Sequence, residues 1–222
     1  MSNLPYAPQQ ASSMDVTEAI YKRRATRNFT TAPVAVDILT KLVDAAIQAP
    51  SAFNAQPWHF TIIRNPALLD RISAAAKPHM LHTLDPKSAP NGIREHLNNP
   101  DFHVFYHAPA MILISGKEGE WTAEDVGLAA ENLMLAAHAA GLGTCWIGFA
   151  QPWLKTPEGK RAVELDPNYI PIAPIIVGHP RETPPPVPRN PSASSVDRLA
   201  NRPLAEQGRP AAYAVAAQRS DA

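Results

Sequence analysis

The chain has 222 residues, 45% of them hydrophobic and 18% charged, which is ample for a packed core and excludes a disordered polymer. Lys plus Arg (20) balances Asp plus Glu (20), so no global field draws nucleic acid or an anionic lipid surface, and an anionic ligand needs a local basic cluster. A single cysteine, Cys145, excludes an internal disulfide and a thiolate metal cluster. Met1 to Ser13 shows no leader pattern, and no apolar run reaches the roughly 18 residues of a membrane span, so a cytoplasmic protein is expected.

Residues 1–14 read as a polar lead-in. A helix is predicted over Asp15–Arg24, capped by Asp15, with Val16, Ala19 and Ile20 on one face. Val36–Gln48 is a second helix. Its Ile38, Leu39, Leu42, Val43 and Ala46 keep the i, i+3, i+4, i+7 spacing, and Pro50 ends it. Trp58–Ile63, aromatic and β-branched, is a strand; Pro66–Ala76 is a short helix with proline in its first position. From Lys77 to Pro100 the pattern is polar and irregular, and reads as an inserted lid or substrate wall rather than core. Ala110–Ser115 is a strand. Thr122–Ala140 is a helix apolar almost all round, through Val126, Leu128, Ala129, Leu133, Met134 and Ala136. That suits a central helix or a subunit interface; Gly141 stops it. Ile170–Val177 is a strand that Pro171 and Pro174 push to a sheet edge or a late start. The 24 prolines are about twice the ordinary usage of ~5%, and those from Pro180 to Pro191 exclude a helix there. Residues 192–222 lack large apolar side chains and read as a C-terminal arm or flexible tail. Helices flanking a small central sheet, antiparallel in type, make an α+β fold, a mixed α/β sandwich, with its main domain over 15–191.

Three segments carry chemistry. Arg23-Arg24-Ala25-Thr26-Arg27-Asn28-Phe29 puts three arginines in five residues. Guanidinium forks suit phosphate oxygens; the alternative is a solvated set that complements the helix C-terminus. Pro50-Ser51-Ala52-Phe53-Asn54-Ala55-Gln56-Pro57-Trp58 braces Ser51, Asn54 and Gln56 between prolines. Such groups read the edge of a heteroaromatic ring, or satisfy their own loop. Gly141-Leu142-Gly143-Thr144-Cys145-Trp146-Ile147-Gly148 follows a helix, so it is not the strand–turn–helix dinucleotide fingerprint; its glycines let a flat ligand approach main-chain N–H groups. His103 and His107 are spaced i, i+4, but no carboxylate or cysteine clusters with them, and no metal is expected.

Together these segments resemble the FMN-dependent nitroreductase family. Its signatures are a helix ending Arg-Arg-Ser-x-Arg-x-Phe, a Pro-Ser-x-x-Asn-x-Gln-Pro-Trp loop before a strand, and an alanine-rich helix leading to a glycine-bearing loop. Order and spacing agree from about Ala19 to Pro191, with 77–100 and the tail outside. The resemblance implies FMN as cofactor, NAD(P)H as electron donor, and a homodimer with its FMN sites at the subunit interface. It implies Arg23 and Arg189 on the phosphate, Arg24 and Ala25 near the ribityl chain, and Arg27 at the pyrimidine end, where a fixed cation raises the reduction potential. Ser51 and Asn54 reach the flavin from the partner subunit, with Pro50, Ala52 and Gln56 in the same loop. Main-chain N–H groups near Ile147 and Gly148 face flavin N5. No side chain is expected to be catalytic, because flavin N5 does the chemistry.

The implied activity is ping-pong hydride transfer from NAD(P)H to nitroaromatics, quinones or similar electron-poor small molecules. The chain departs from the family in three places. Ala25 stands where Ser or Thr is common. Arg189 is the one cation of Val187-Pro188-Arg189-Asn190, where many members carry two. Asp101-Phe102-His103-Val104 lacks the lysine that many members place beside the pyrimidine, leaving Asp101, His103 or Arg27 to serve. Two alternatives stay open. One is a specialised flavoenzyme of the same fold, such as a dehalogenase, an enoyl-type reductase or a flavin-fragmenting enzyme; the other is a low-turnover flavin-binding or storage protein.

Overall fold

The computed structural model describes residues 14–85 and 92–191. Its elements are α1 (Val16–Lys22), α2 (Val36–Ala46), β1 (Trp58–Ile63), α3 (Pro66–Thr83), α4 (Ile93–Asn98), β2 (Ala110–Lys117), α5 (Thr122–Ala139), β3 (Gly143–Trp146), α6 (Gln151–Leu154), α7 (Pro157–Ala162) and β4 (Tyr169–Gly178). The chain falls into two units, Met1–Pro186 and Val187–Ala222. Every helix and strand described belongs to the first; Val187–Pro191 of the second is exposed chain without regular structure. The expectations for residues 1–13 and 192–222 lie outside the described residues.

The four strands form one antiparallel sheet in the order β1-β2-β4-β3. Alternate residues of β2 and β4 serve two cores. On one face Ala110, Ile112, Ile114, Ala173, Ile175 and Val177 pack with Leu39 and Leu42 of α2 and with Ala129 and Leu133 of α5. On the other, Met111, Leu113 and Ile176 pack with Leu69 and Ile72 of α3 and with Phe105. Burial on both faces is why β2 reads as a continuous apolar run rather than an alternating one. Helices cover the sheet on both sides, and the α+β class expected from the sequence is the one observed.

Four local expectations are corrected. The predicted face of α1 is solvent-exposed: Val16 is 64% and Ile20 57% exposed, and Ala19 alone is buried, although Asp15 caps the helix as expected. Helix α3 does not end at Ala76 but runs through Pro78 to Thr83, because Met80 and Leu81 extend its apolar face onto the same core. The stretch beyond it is tied down as well: Lys77 donates to the carbonyls of Asn99 and Phe102, and Leu97 and Phe102 are core residues. The segment Gly143–Trp146, read as a loop, is strand β3. Finally, β4 is an interior strand, not an edge. Its prolines are tolerated because β3 pairs only with Ile175–Gly178, leaving Pro171 and Pro174 with a single strand neighbour, and a bulge opposite Ile114/Ser115 absorbs the mismatch.

Candidate active site

Helix α1 ends at Arg23, which turns extended (φ −55°, ψ 133°) while its N–H still bonds the Ala19 carbonyl. The chain then runs parallel to β3. Ala25 bridges Thr144, and the Thr26 N–H donates to the Thr144 carbonyl at 2.9 Å. Gly143 makes this approach possible: a Cβ there would stand 2.5 Å from Oγ1 of buried Thr26. The result is that Arg27 arrives at the mouth of a cleft of about 190 Å³, walled by Tyr106 and by the run Cys145–Phe149.

Arg27 has no carboxylate partner among the described residues and lies 6.0 Å from the centroid of the Tyr106 ring. Burial pushes the Tyr106 phenol and the Cys145 thiol up from their ordinary pKa values, with Arg27 pulling both the other way. Cys145 is therefore a small buried thiol, not a thiolate nucleophile. Nothing of Gly148 hinders the cleft; a Cβ there would meet no atom within 4 Å.

Arg23 and Arg24 form a second, electropositive corner. Arg23 Nε donates to Glu131 Oε1 at 3.2 Å, and Arg24 Nη1 donates to the carbonyls of Tyr21 and Arg23 at 2.7 Å each. Arg24 Nε and His138 Nε2 are buried without partners. Burial, and then Arg23 and Arg24, hold the His138 pKa below 6.5. Buried nitrogens without partners in a cationic corner are what an anionic group would satisfy.

The loop after Pro50 is shaped by its own hydrogen bonds. Ser51 Oγ accepts from the Gln56 N–H at 3.0 Å, Gln56 Nε2 donates to Asn54 Oδ1 at 2.9 Å, and the Ala52 N–H donates to buried Asp125 Oδ1 at 2.9 Å. Phe53, Asn54 and Gln56 all take positive φ, and Phe53 is 96% exposed. Ala52 lines a different cleft, about 260 Å³, with residues of the β2–α5 turn, and the two clefts share no residue. Within one chain, the structure does not bring Pro50, Ser51, Ala52, Asn54 or Gln56 to the cleft of Arg27. Arg189 stands exposed in the second unit.

Four residues that matter here were missed from the sequence. Tyr106 and Glu131 carried no motif. Asp125 carried no motif either; it lies in the first turn of α5, and its tie to the Ala52 N–H spans 73 residues of chain. Asp70 is the carboxylate that sequence neighbourhood denied to His103: its Oδ1 lies 3.0 Å from His103 Nε2, across 33 residues of chain. His103 faces Asp70, and it is Tyr106 that lines the cleft with Arg27.

At this sheet edge the arginine-bearing segment meets β3, and the open Gly148 backbone lies in one cleft with a guanidinium that has no carboxylate partner among the described residues, an arrangement that suits a flat ligand carrying negative charge. A model of the nitroreductase family matches residues 20–179, and the chain belongs to that family of oxidoreductases. A Methanothermobacter thermautotrophicus protein, provisionally described as an NADH dehydrogenase/NAD(P)H nitroreductase, is 32% identical over 182 residues, covering 79% of this chain and 82% of that protein. An iodotyrosine deiodinase of Haliscomenobacter hydrossis is 26% identical over 195 residues, covering 76% of this chain and 87% of its own. Among solved structures, a Desulfitobacterium hafniense nitroreductase with bound FMN superposes with a TM-score of 0.70 at 25% identity, over 82% of this chain and 98% of that one.

Proposed function

We propose that this oxidoreductase binds FMN and passes electrons from NAD(P)H to nitroaromatic, quinone or similar electron-poor small molecules in a ping-pong cycle. The observation that carries the reading is Arg27, without a carboxylate partner among the described residues, beside the open Gly148 backbone in one cleft, in a chain whose nitroreductase relative binds FMN. When bound, FMN supplies the hydride chemistry between donor and oxidant. The chain's own part is to bind, orient and tune. Arg24 Nε, orphaned in the cationic corner, fits the phosphate side together with Arg23 and Ala25. Arg27 supplies fixed positive charge at the pyrimidine end. Of the two main-chain donors expected at N5, Ile147 is committed to the Pro174 carbonyl at 2.8 Å, so the role passes to Gly148.

The loop of Ser51 and Asn54 lines a separate cleft in its own chain, and exposed Phe53, Val16, Ile20, Tyr21 and Leu128 supply apolar surface for a second copy. A homodimer in which the partner subunit's Ser51 and Asn54 complete each flavin site fits both facts. Among the described residues no helix is long and apolar enough to cross a membrane. A nicotinamide donor goes with the cytoplasmic site expected from the sequence.

The test is stopped-flow absorbance of the FMN-loaded protein. Bleaching on mixing with NADPH or NADH, then recovery on adding a nitroaromatic, is the expected result; a flavin that stays oxidised with both nucleotides sinks the reductase reading and leaves a flavin-binding protein. The deiodinase relative favours a second reading, reductive removal of halide from a halogenated phenol. A reduced protein that reoxidises with an iodophenol and ignores nitro compounds would select it. Glu131 adds a smaller prediction. Because a half-exposed ion pair is worth ~0–1 kcal/mol, Glu131→Gln should tighten FMN by about two- to fivefold by freeing Arg23 for phosphate, measured by quenching of flavin fluorescence.

A further inference from the structure

Asp70, His103 and His107 place three ligand-type atoms within 4.8 Å of one another, a count that suits a divalent cation. The hydrogen bonding of His103 assigns it differently. Its Nδ1 accepts the backbone N–H of Phe105 at 3.2 Å and of His107 at 3.4 Å. The one proton of the neutral ring is then on Nε2, which donates to Asp70 Oδ1 at 3.0 Å. Neither ring nitrogen keeps a lone pair for a metal.

The turn held in this way is a strained one. Tyr106 and His107 both have φ of 53°, a left-handed conformation that side-chain-bearing residues keep only where their surroundings impose it. The Tyr106 N–H bonds the His103 carbonyl at 2.9 Å, and the Ala108 N–H bonds that of Phe105 at 3.0 Å. The ring so delivered lines the cleft of Arg27, with buried Phe102 behind it edge-on at 5.7 Å.

We propose that His103 is a positioning residue: its unprotonated Nδ1, with the ring oriented by Asp70, holds the left-handed turn that sets Tyr106 beside Arg27 in the cofactor cleft. The consequence for FMN rests on the function proposed above; the consequence for the turn does not. Protonating Nδ1 would aim an N–H at two N–H donors, and both bonds would be lost. The groups around the ring are Asp70 and Lys77 of α3, and Asp101 and His107 of its own segment. Burial first, and then His107, hold the His103 pKa below 6.5, against the upward pull of Asp70 and with the help of Lys77. A folded value below the unfolded one means that the clamp is complete above pH 6.5 and is lost as pH falls through the folded value.

The test uses the full chain, with amide exchange of the 102–109 segment (corrected for intrinsic rates) and FMN titration, from pH 8 down to pH 5. The wild type should lose protection at Phe105 and His107 and about tenfold in FMN affinity as the pH falls, the scale of one or two hydrogen bonds. His103→Asn keeps an acceptor for the N–H two residues on, as in an Asx turn. It should retain protection and affinity while abolishing the acid loss. His103→Phe fills the space without an acceptor and should lose both at every pH, matching Tyr106→Ala, with the double variant no worse than either. An Asn variant that keeps the acid loss, a Phe variant protected like wild type, or saturable Zn²⁺ binding that needs His103 would overturn the proposal. A wild type that binds no FMN at pH 8 defeats the FMN reading instead, and the exchange measurements still decide the clamp.

Discussion

Arg27→Gln is expected to slow reduction of the FMN-loaded protein by NAD(P)H about 100-fold while FMN stays bound. Losing one preorganised electrostatic group at a site of developing charge costs about 10²–10³ in rate. The lower figure applies because Arg27 is exposed, and its charge is partly screened. What makes the loss large is that no carboxylate among the described residues pairs with this guanidinium. Glutamine keeps a donor of similar reach and removes only the charge. Stopped-flow reduction gives the rate, and spectroelectrochemistry gives the potential, which should fall by roughly 30 mV per tenfold change in the equilibrium. A variant with unchanged potential and rate would place the tuning charge elsewhere.

The second large effect is on stability. Asp125 is 5% exposed in the first turn of α5, and its Oδ1 is the acceptor for the Ala52 N–H. Asp125→Ala removes a charge-assisted bond and leaves that N–H unmatched, at a cost of about 2–3 kcal/mol. For a unit of this size that is a fall of roughly 5–10 °C in Tm. Asp125→Asn keeps an acceptor and should lose about half as much. Calorimetry gives the size, and limited proteolysis locates it: cleavage should appear first within residues 50–57. A Tm equal to wild type, or cleavage that begins elsewhere, would show that the loop does not depend on this carboxylate.

What could be read from the sequence was whatever repeats at short range. The i, i+3, i+4 spacing found α2, the β-branched runs found β1 and β2, and the proline at Pro66 found the start of α3. The three motif segments pointed to Arg27 and to Cys145–Gly148, which the fold does bring together. The misses have a common cause in tertiary context. Ile20 and Val16 are apolar at helical spacing yet face outward, because α1 meets the core through Ala19 alone. Pro171 and Pro174 look like an edge signal, but pairing on one side only of that half-strand satisfies the same constraint inside a sheet. Asp70 and Glu131 are ordinary helix acids until folding sets them against His103 and Arg23. Tyr106 needs a left-handed turn, which its own sequence does not advertise.

The bridge between Ala25 and Thr144 would tie the cofactor binding proposed for this segment to solubility. Strand β3 is the outer strand of the sheet, and an outer strand offers a row of unpaired amides on which another chain can add itself. Here the arginine segment lies along that row, with the Thr26 N–H on the Thr144 carbonyl. The stretch proposed to grip an anion is thus also the cover that keeps neighbouring molecules from extending the sheet. A lesion that peels Arg23–Arg27 from β3 forfeits both at once, so that in the cell poor cofactor retention and aggregation of this protein would arrive as a single phenotype.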